Sequence, residues 1–180
     1  HRKELTDPWV GPGALRHRDM ITKHANDLVD EWIGDGNVEF ISRFARPLPQ
    51  RVMASLLGFP LEDIPQLAQW GDAVVTPFVH GTGLKHELTP EQTRDMLARL
   101  DRFQDYIYEH VRAKRLDPQD DMVSRIVNAE VDGERLTDDE FQMFWLLLVV
   151  AGNETTRNAV TGAVLALHEQ GQWAWLAGHP

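Results

Sequence analysis

The stretch from Thr137 to Gln170, TDDEFQMFWLLLVVAGNETTRNAVTGAVLALHEQ, constrains the fold more than any other part of the chain. Its spacing predicts one long helix. Thr137 followed by Asp138, Asp139 and Glu140 is a capping-box signal. The Thr hydroxyl takes the orphan N–H three residues on, and a Glu at that third position reaches back to the cap. The three acids also lie where the helix macrodipole favours negative charge. Gly171 stands where a glycine commonly ends a helix. At about 1.5 Å per residue the element spans on the order of 50 Å, roughly the width of a domain. The rest of the chain must pack around it.

The middle of that helix is weak. Phe144 to Val150 is apolar and strongly helical, but Ala151-Gly152-Asn153-Glu154-Thr155-Thr156 brings in Gly, Asn and two Thr, all mediocre or poor helix formers. Thr can bond back to the carbonyl four residues earlier, which bends helices. For Thr155 and Thr156 those carbonyls belong to Ala151 and Gly152, so the expectation is a distorted turn. Helical spacing puts Leu148, Ala151/Gly152, Thr155, Ala159 and Gly162/Ala163 along one stripe. Small residues in such a stripe usually mark close helix packing, and a mid-helix Glu is usually just solvated. The chemical alternative is that a flat or bulky group approaches the backbone there. Glu154 and Thr155, a carboxylate beside a hydroxyl, would then carry protons.

Composition narrows the classes. The 180 residues suffice for one domain with a real core. Hydrophobic residues at 42%, with six Trp, argue against disorder. A formal charge of −10 excludes nucleic acid as an expected partner. No apolar run is long enough to span a bilayer, and HRKELTDPW lacks the apolar region of a signal peptide. The expectation is a cytoplasmic protein. Cysteine is absent, which removes disulfides and Cys-based metal sites. The eight His are scattered. His17 and His24 share a helix face, but zinc needs three or four ligands, so no metal-ligand set is expected.

Taken in order, the chain reads as helices. After the loop signal Gly11-Pro12-Gly13, Ala14 to Ile33 has helical apolar spacing. Gly34 to Asn37 is a turn, and Val38 to Ile41 is a strand fragment or a helix entry. Ile41 to Leu57 is a helix with Pro47 and Pro49 in its first half, stopped by Gly58-Phe59-Pro60. Leu61 to Val79 and Pro90 to Arg115 are amphipathic helices on either side of a glycine-containing connection. Met122 to Ala129 is a short helix, followed by a turn at Glu130 to Gly133. Beyond Gly171, QWAWLAGHP reads as one more short helix.

Several of these strings share one resemblance. AGNETT, preceded by LLLVV inside a capped helix, resembles the oxygen-binding helix of the cytochrome P-450 haem-thiolate monooxygenases. FARPLPQRVMASLLGFP and DDMVSRIVNAEVDGERLTDDE are similar to the family's segments at corresponding distances before it. The resemblance covers essentially all 180 residues but only the central portion of a family chain. It runs from the start of the propionate-binding helix to just past the oxygen-binding helix. The family's Cys-bearing haem loop and Glu-x-x-Arg helix follow that portion, and its early sheet precedes or flanks it.

The resemblance implies a mainly α fold, about eight helices around one long central helix, with residues 1–180 as a partial cytochrome P-450 domain. It implies haem b and O₂ as cofactors, with one oxygen atom entering a C–H bond of a lipophilic molecule, such as a steroid or terpenoid. Thr155 and Glu154 would deliver protons, and Ala151 and Gly152 would give O₂ room. His1, Arg2 and Lys3 are the candidates for the haem propionates. Leu147, Val150, Ala151 and Phe78 would line the substrate pocket, with the two amphipathic helices as its lid. Electrons would come from a ferredoxin or flavodoxin. The 180 residues alone are not expected to be active. Outside the family, the alternative is a non-catalytic helical ligand-binding module.

Overall fold

The computed structural model describes residues 9, 11–81, 88–131 and 133–179. The candidates His1, Arg2 and Lys3 lie outside them. The described residues form α1 (Arg18–Asp30), α2 (Pro47–Leu57), α3 (Ile64–Gly81), α4 (Pro90–Leu116), α5 (Met122–Asn128), α6 (Asp138–Glu169) and α7 (Trp173–Gly178). With the 3₁₀ helix Gly11–His17 ahead of α1, they make the expected eight helical elements. Two single turns, Ile41–Ala45 and Leu61–Asp63, lead into α2 and α3. Strand content among the described residues is one two-residue ribbon, β1 (Glu130–Val131) paired antiparallel with β2 (Glu134–Arg135).

Local chemistry sets the boundaries. The helix expected over Ile41 to Leu57 is divided because Pro47 has no N–H to donate and its ring crowds the carbonyl four residues back. The chain takes a wider turn at Ile41–Ala45, closed by the Arg46 N–H donating to the Ile41 carbonyl at 2.9 Å, and restarts with Pro47 in the first turn of α2. Both long helices carry complete capping boxes. Thr89 and Gln92 start α4, and Thr137 and Glu140 start α6, with each backbone–side-chain pair reciprocated. The two hydrogen bonds at Glu140 hold its carboxyl below the usual carboxylate range.

α6 is packed on one side. Phe141 and Trp145 are each 2% exposed and stand among Ile107 and Val111 of α4, Val123, Ile126 and Val127 of α5, and Leu57 of α2. Phe59 meets Trp145 edge-on at 4.6 Å between ring centroids. Burying side chains of this size contributes about 1.5–3 kcal/mol each. At the meeting point of α2, α4 and α5, one carboxylate serves two helices. Asp121 accepts the Ser124 N–H at 2.7 Å, capping α5, and the Lys114 ammonium at 2.5 Å from the end of α4. Gly58 closes α2 with φ +75°, and any side chain there would collide with the Asp121 carboxylate. On α6 the opposite side is open, with Met143, Leu147 and Leu165 more than half exposed.

His110 on α4 stacks on Phe59 at 4.0 Å, and burial pushes its pKa below the ordinary 6.5. Burial does the same to His24, whose ring contacts the Ser55 hydroxyl at 2.8 Å. The folded state therefore resists a proton that the unfolded chain accepts. Stability is full above 6.5 and declines as the pH drops below it toward the folded-state values. Urea unfolding followed from about pH 8 to about pH 5 should show that decline. The substitution His110→Phe, which keeps the stacked ring, should make the decline shallower and leave the share that belongs to His24.

Candidate functional site

The AGNETT turn does not interrupt α6, which keeps α-helical hydrogen bonding from Asp138 to Glu169. The expected back-bond is nevertheless there: the Thr155 hydroxyl donates to the Ala151 carbonyl. A second one follows a turn and a half later, from Thr161 to the Arg157 carbonyl at 2.9 Å. With its proton committed to Ala151, Thr155 Oγ1 has lone pairs left to accept from whatever lies beyond the helix. Thr155 and Ala151 are both exposed, and Leu147, one turn earlier, is 54% exposed. Residues four apart lie one above another, so Leu147, Ala151 and Thr155 form a strip that is apolar at one end and polar at the other.

Gly152 belongs to the other side. A Cβ there would come within 2.8 Å of the Met53 sulfur and 3.2 Å of its neighbouring carbons. The missing side chain is thus what lets α2 approach α6, and the space it leaves is filled by the thioether. Room on the open side comes from Ala151 and Thr155. Of the substrate-lining candidates, Leu147 and Ala151 stand on the open strip. Val150 lies on α6 and Phe78 on α3, but their side chains are outside what is described.

Glu154 sits between the two sides. Its carboxylate is ion-paired with Arg157, three residues on, and the Arg157 guanidinium also reaches the Asn158 amide oxygen at 3.3 Å. Residues three apart share a helix face, so Arg157 was available from spacing alone, although only the acid drew the sequence argument. Around this pair a small polar cleft is lined by Arg46, Gln50, Ala68 and Asn153. Glu154 and Asn153 also border a larger, mainly apolar cavity of about 80 Å³ between α2, α3, α4 and α6. Arg46, Gln50 and Met53 come from 100 residues earlier in the chain, and nothing in the local sequence of α6 announces them.

The open strip fits one wall of a haem pocket. It offers a flat approach to Ala151, an apolar flank at Leu147 and a hydroxyl at Thr155, with no charged side chain among the three. It supplies no thiolate ligand for iron, since the chain has no cysteine. Among the described residues no cluster of three or more His, Asp or Glu is placed to hold a metal. No described helix is long and apolar enough to cross a membrane.

Comparison with known proteins agrees with this geometry. No model of a known family matches the chain. Individual proteins do. The cyclomarin C epoxidase CymV of Salinispora arenicola is 37% identical over 158 residues, which is 87% of this chain and 38% of that protein. A steroid C26-monooxygenase of Mycobacterium tuberculosis is 34% identical over 180 residues, 99% of this chain and 44% of that protein. Among solved structures, the polyketide synthase cytochrome P-450 PksS of Bacillus subtilis superimposes with a TM-score of 0.81 at 30% identity, covering 99% of this chain and 44% of that one. CYP109E1 from Bacillus megaterium, in complex with corticosterone, gives a TM-score of 0.81 at 27% identity. The chain therefore spans about two fifths of the length of the curated relatives it matches.

If close approach is what Gly152 provides, Gly152→Ala should destabilise the protein by about 1–3 kcal/mol through overpacking against Met53. Combined with Met53→Ala, the loss should be less than the sum of the two single losses. Thermal denaturation of the four proteins of that cycle measures the coupling. Additive losses would place the conflict elsewhere.

Proposed function

The chain belongs to the cytochrome P-450 family, and from that premise we propose that it supplies the distal wall and the proton-delivery residues of a haem-dependent monooxygenase. Residues 1–180 would then be the helical part of a longer domain. The reading is supported by the chain's coverage of only part of each relative and by an open strip along Leu147, Ala151 and Thr155. The observation that carries it is the adjacency of Thr155, on the open strip, to Glu154, which immediately precedes it and lines a polar cleft.

Haem, when bound, supplies activation of O₂ for insertion of one oxygen atom into a C–H bond, the other leaving as water. The protein's own part is positioning, exclusion of water and proton movement. Leu147 and Ala151 keep the strip apolar, so the group above them meets no competing charge. Thr155 accepts a hydrogen bond on the open side while its proton rests on the Ala151 carbonyl. Proton delivery runs from the cleft. The Glu154 carboxylate, steadied by Arg157, takes up a proton from solvent entering between Arg46 and Gln50. It passes the proton toward Thr155 as the ion pair loosens. Thr155 then turns its own proton outward and is replenished from Glu154. A positioned relay of this kind contributes typically 10²–10⁴-fold to rate.

The substrate class we assign is a lipophilic small molecule, with steroids and terpenoids as first candidates. A named steroid monooxygenase is among the relatives, and another neighbour was crystallised with a steroid. A separate ferredoxin or flavodoxin would deliver the electrons, and the cytoplasm would be the site of action.

The deciding experiment is the carbon monoxide difference spectrum of the reduced full-length protein. A red-shifted, thiolate-type Soret band is expected, and a folded protein without any haem signal would overturn the assignment. In the active enzyme, Thr155→Ala should divert electrons from product to peroxide; a mutant as tightly coupled as the wild type would remove the hydroxyl from the relay. Glu154→Gln should slow turnover about 10- to 1000-fold with haem content unchanged, measured as product formed per haem. Unaltered turnover would leave the carboxylate a structural partner of Arg157 only.

A further inference from the structure

Met53 occupies the space that a side chain at position 152 would take. The three atoms that would crowd a Cβ on Gly152 all belong to its thioether, Sδ at 2.8 Å and Cε and Cγ at 3.2 Å each. The sulfur and both carbons bonded to it therefore rest on the backbone of α6, where α2 packs against that helix. Met53 is only half-buried, and it lines the cavity between α2, α3, α4 and α6. The cavity and the polar cleft share Gln50, Ala68, Asn153 and Glu154, so the two spaces adjoin. A small polar molecule entering between Arg46 and Arg157 comes up to Met53. The other four methionines are placed differently. Met122 is 3% exposed in the core, and Met143 is 67% exposed on the free side of α6. Met20 on α1 and Met96 on α4 are half-buried, and neither borders the cavity.

We infer that Met53 is an oxidation site, at which hydrogen peroxide loosens α2 from α6. The thioether sulfur attacks one peroxide oxygen with a lone pair, so that an S–O bond forms as the O–O bond breaks. The departing hydroxide takes up the proton left on the transferred oxygen and leaves as water. Sulfur is oxidised by two electrons and the peroxide is reduced by the same two. The product is a sulfoxide, polar and chiral where the thioether was flexible and apolar. Neither placement of the new oxygen suits the contact. On the Gly152 side there is no room, because even one added carbon would meet the sulfur at 2.8 Å. On the cavity side the oxygen is a polar atom set among Leu57, Leu67 and Phe103, where burial without a hydrogen bond is costly. The thioether fits α6 and the sulfoxide does not. Because the oxidant can be supplied from outside, the inference stands or falls apart from the monooxygenase reading.

The test exposes the full-length protein to a series of hydrogen peroxide concentrations, each quenched with catalase and divided. Peptide mass spectrometry reads the fraction of each methionine that has gained one oxygen, and thermal denaturation reads the unfolding midpoint. Met53 should oxidise well ahead of Met122, and the midpoint should fall by about 2–4 °C as it does so. Met143, the more exposed residue, should oxidise at lower peroxide without moving the midpoint. Met53→Leu, which keeps the side chain apolar and similar in volume, should hold its midpoint where the wild type loses its own. Met143→Leu should lose stability as the wild type does. The inference is overturned if Met53 is as protected as Met122, or if the midpoint is unchanged once Met53 is oxidised. It is equally overturned if Met53→Leu loses as much as the wild type. The first two outcomes are read on the wild-type protein, so they decide the matter even if Met53→Leu fails to fold.

Discussion

One-sided burial of α6 is the constraint on which the rest depends. Phe141 and Trp145 are driven into the core by the area they remove from water, and Gly152 extends that contact by letting Met53 reach the helix backbone. With three successive turns committed to one side, the opposite side is fixed in space and left free. Thr155 and Ala151 are where they are because Trp145 and Gly152 are where they are. A helix packed all round would have no site, and a helix packed loosely would have no fixed one.

The fold was legible where the chain states its rules locally. The capping box at Thr137, the stop at Gly58 and the glycine that follows α6, Gly171 with φ +63°, all appear where the residue types demand. What the periodicity missed were changes of helix type. The first predicted helix begins as a 3₁₀ segment through His17, and the Pro47 segment begins as a π-turn. Apolar spacing is nearly the same for a 3₁₀ entry and an α-helix. The difference lies in which carbonyl each N–H selects, which no side-chain pattern records at the 3₁₀ entry, whereas Pro47 marks the break before α2.

The site was half legible for a similar reason. The Thr155 back-bond follows from two residues four apart, and it formed as expected. The direction in which Gly152 faces does not follow from its neighbours. Ala151 and Gly152 look interchangeable in a stripe of small residues, yet 100° of helical rotation puts one on the open strip and the other under Met53. The identity of the approaching helix decides which small residue makes room for a ligand and which makes room for protein, and that information sits a hundred residues away in α2.

The same division explains why the hexapeptide tolerates poor helix formers. Gly, Asn and two Thr in sequence cost an isolated helix about 0.5–1 kcal/mol each against Ala. Here three of the four have a use that offsets the cost. Gly152 admits Met53, Thr155 satisfies its hydroxyl on Ala151, and Asn153 lines the polar cleft beside Glu154. The long apolar turns before the hexapeptide and the alanine-rich turns after it hold the helix together across it. A weak segment flanked by strong ones stays helical and can spend its side chains on something other than helix formation. That is a reason to look for function at the point where a well-capped helix departs from its own propensities.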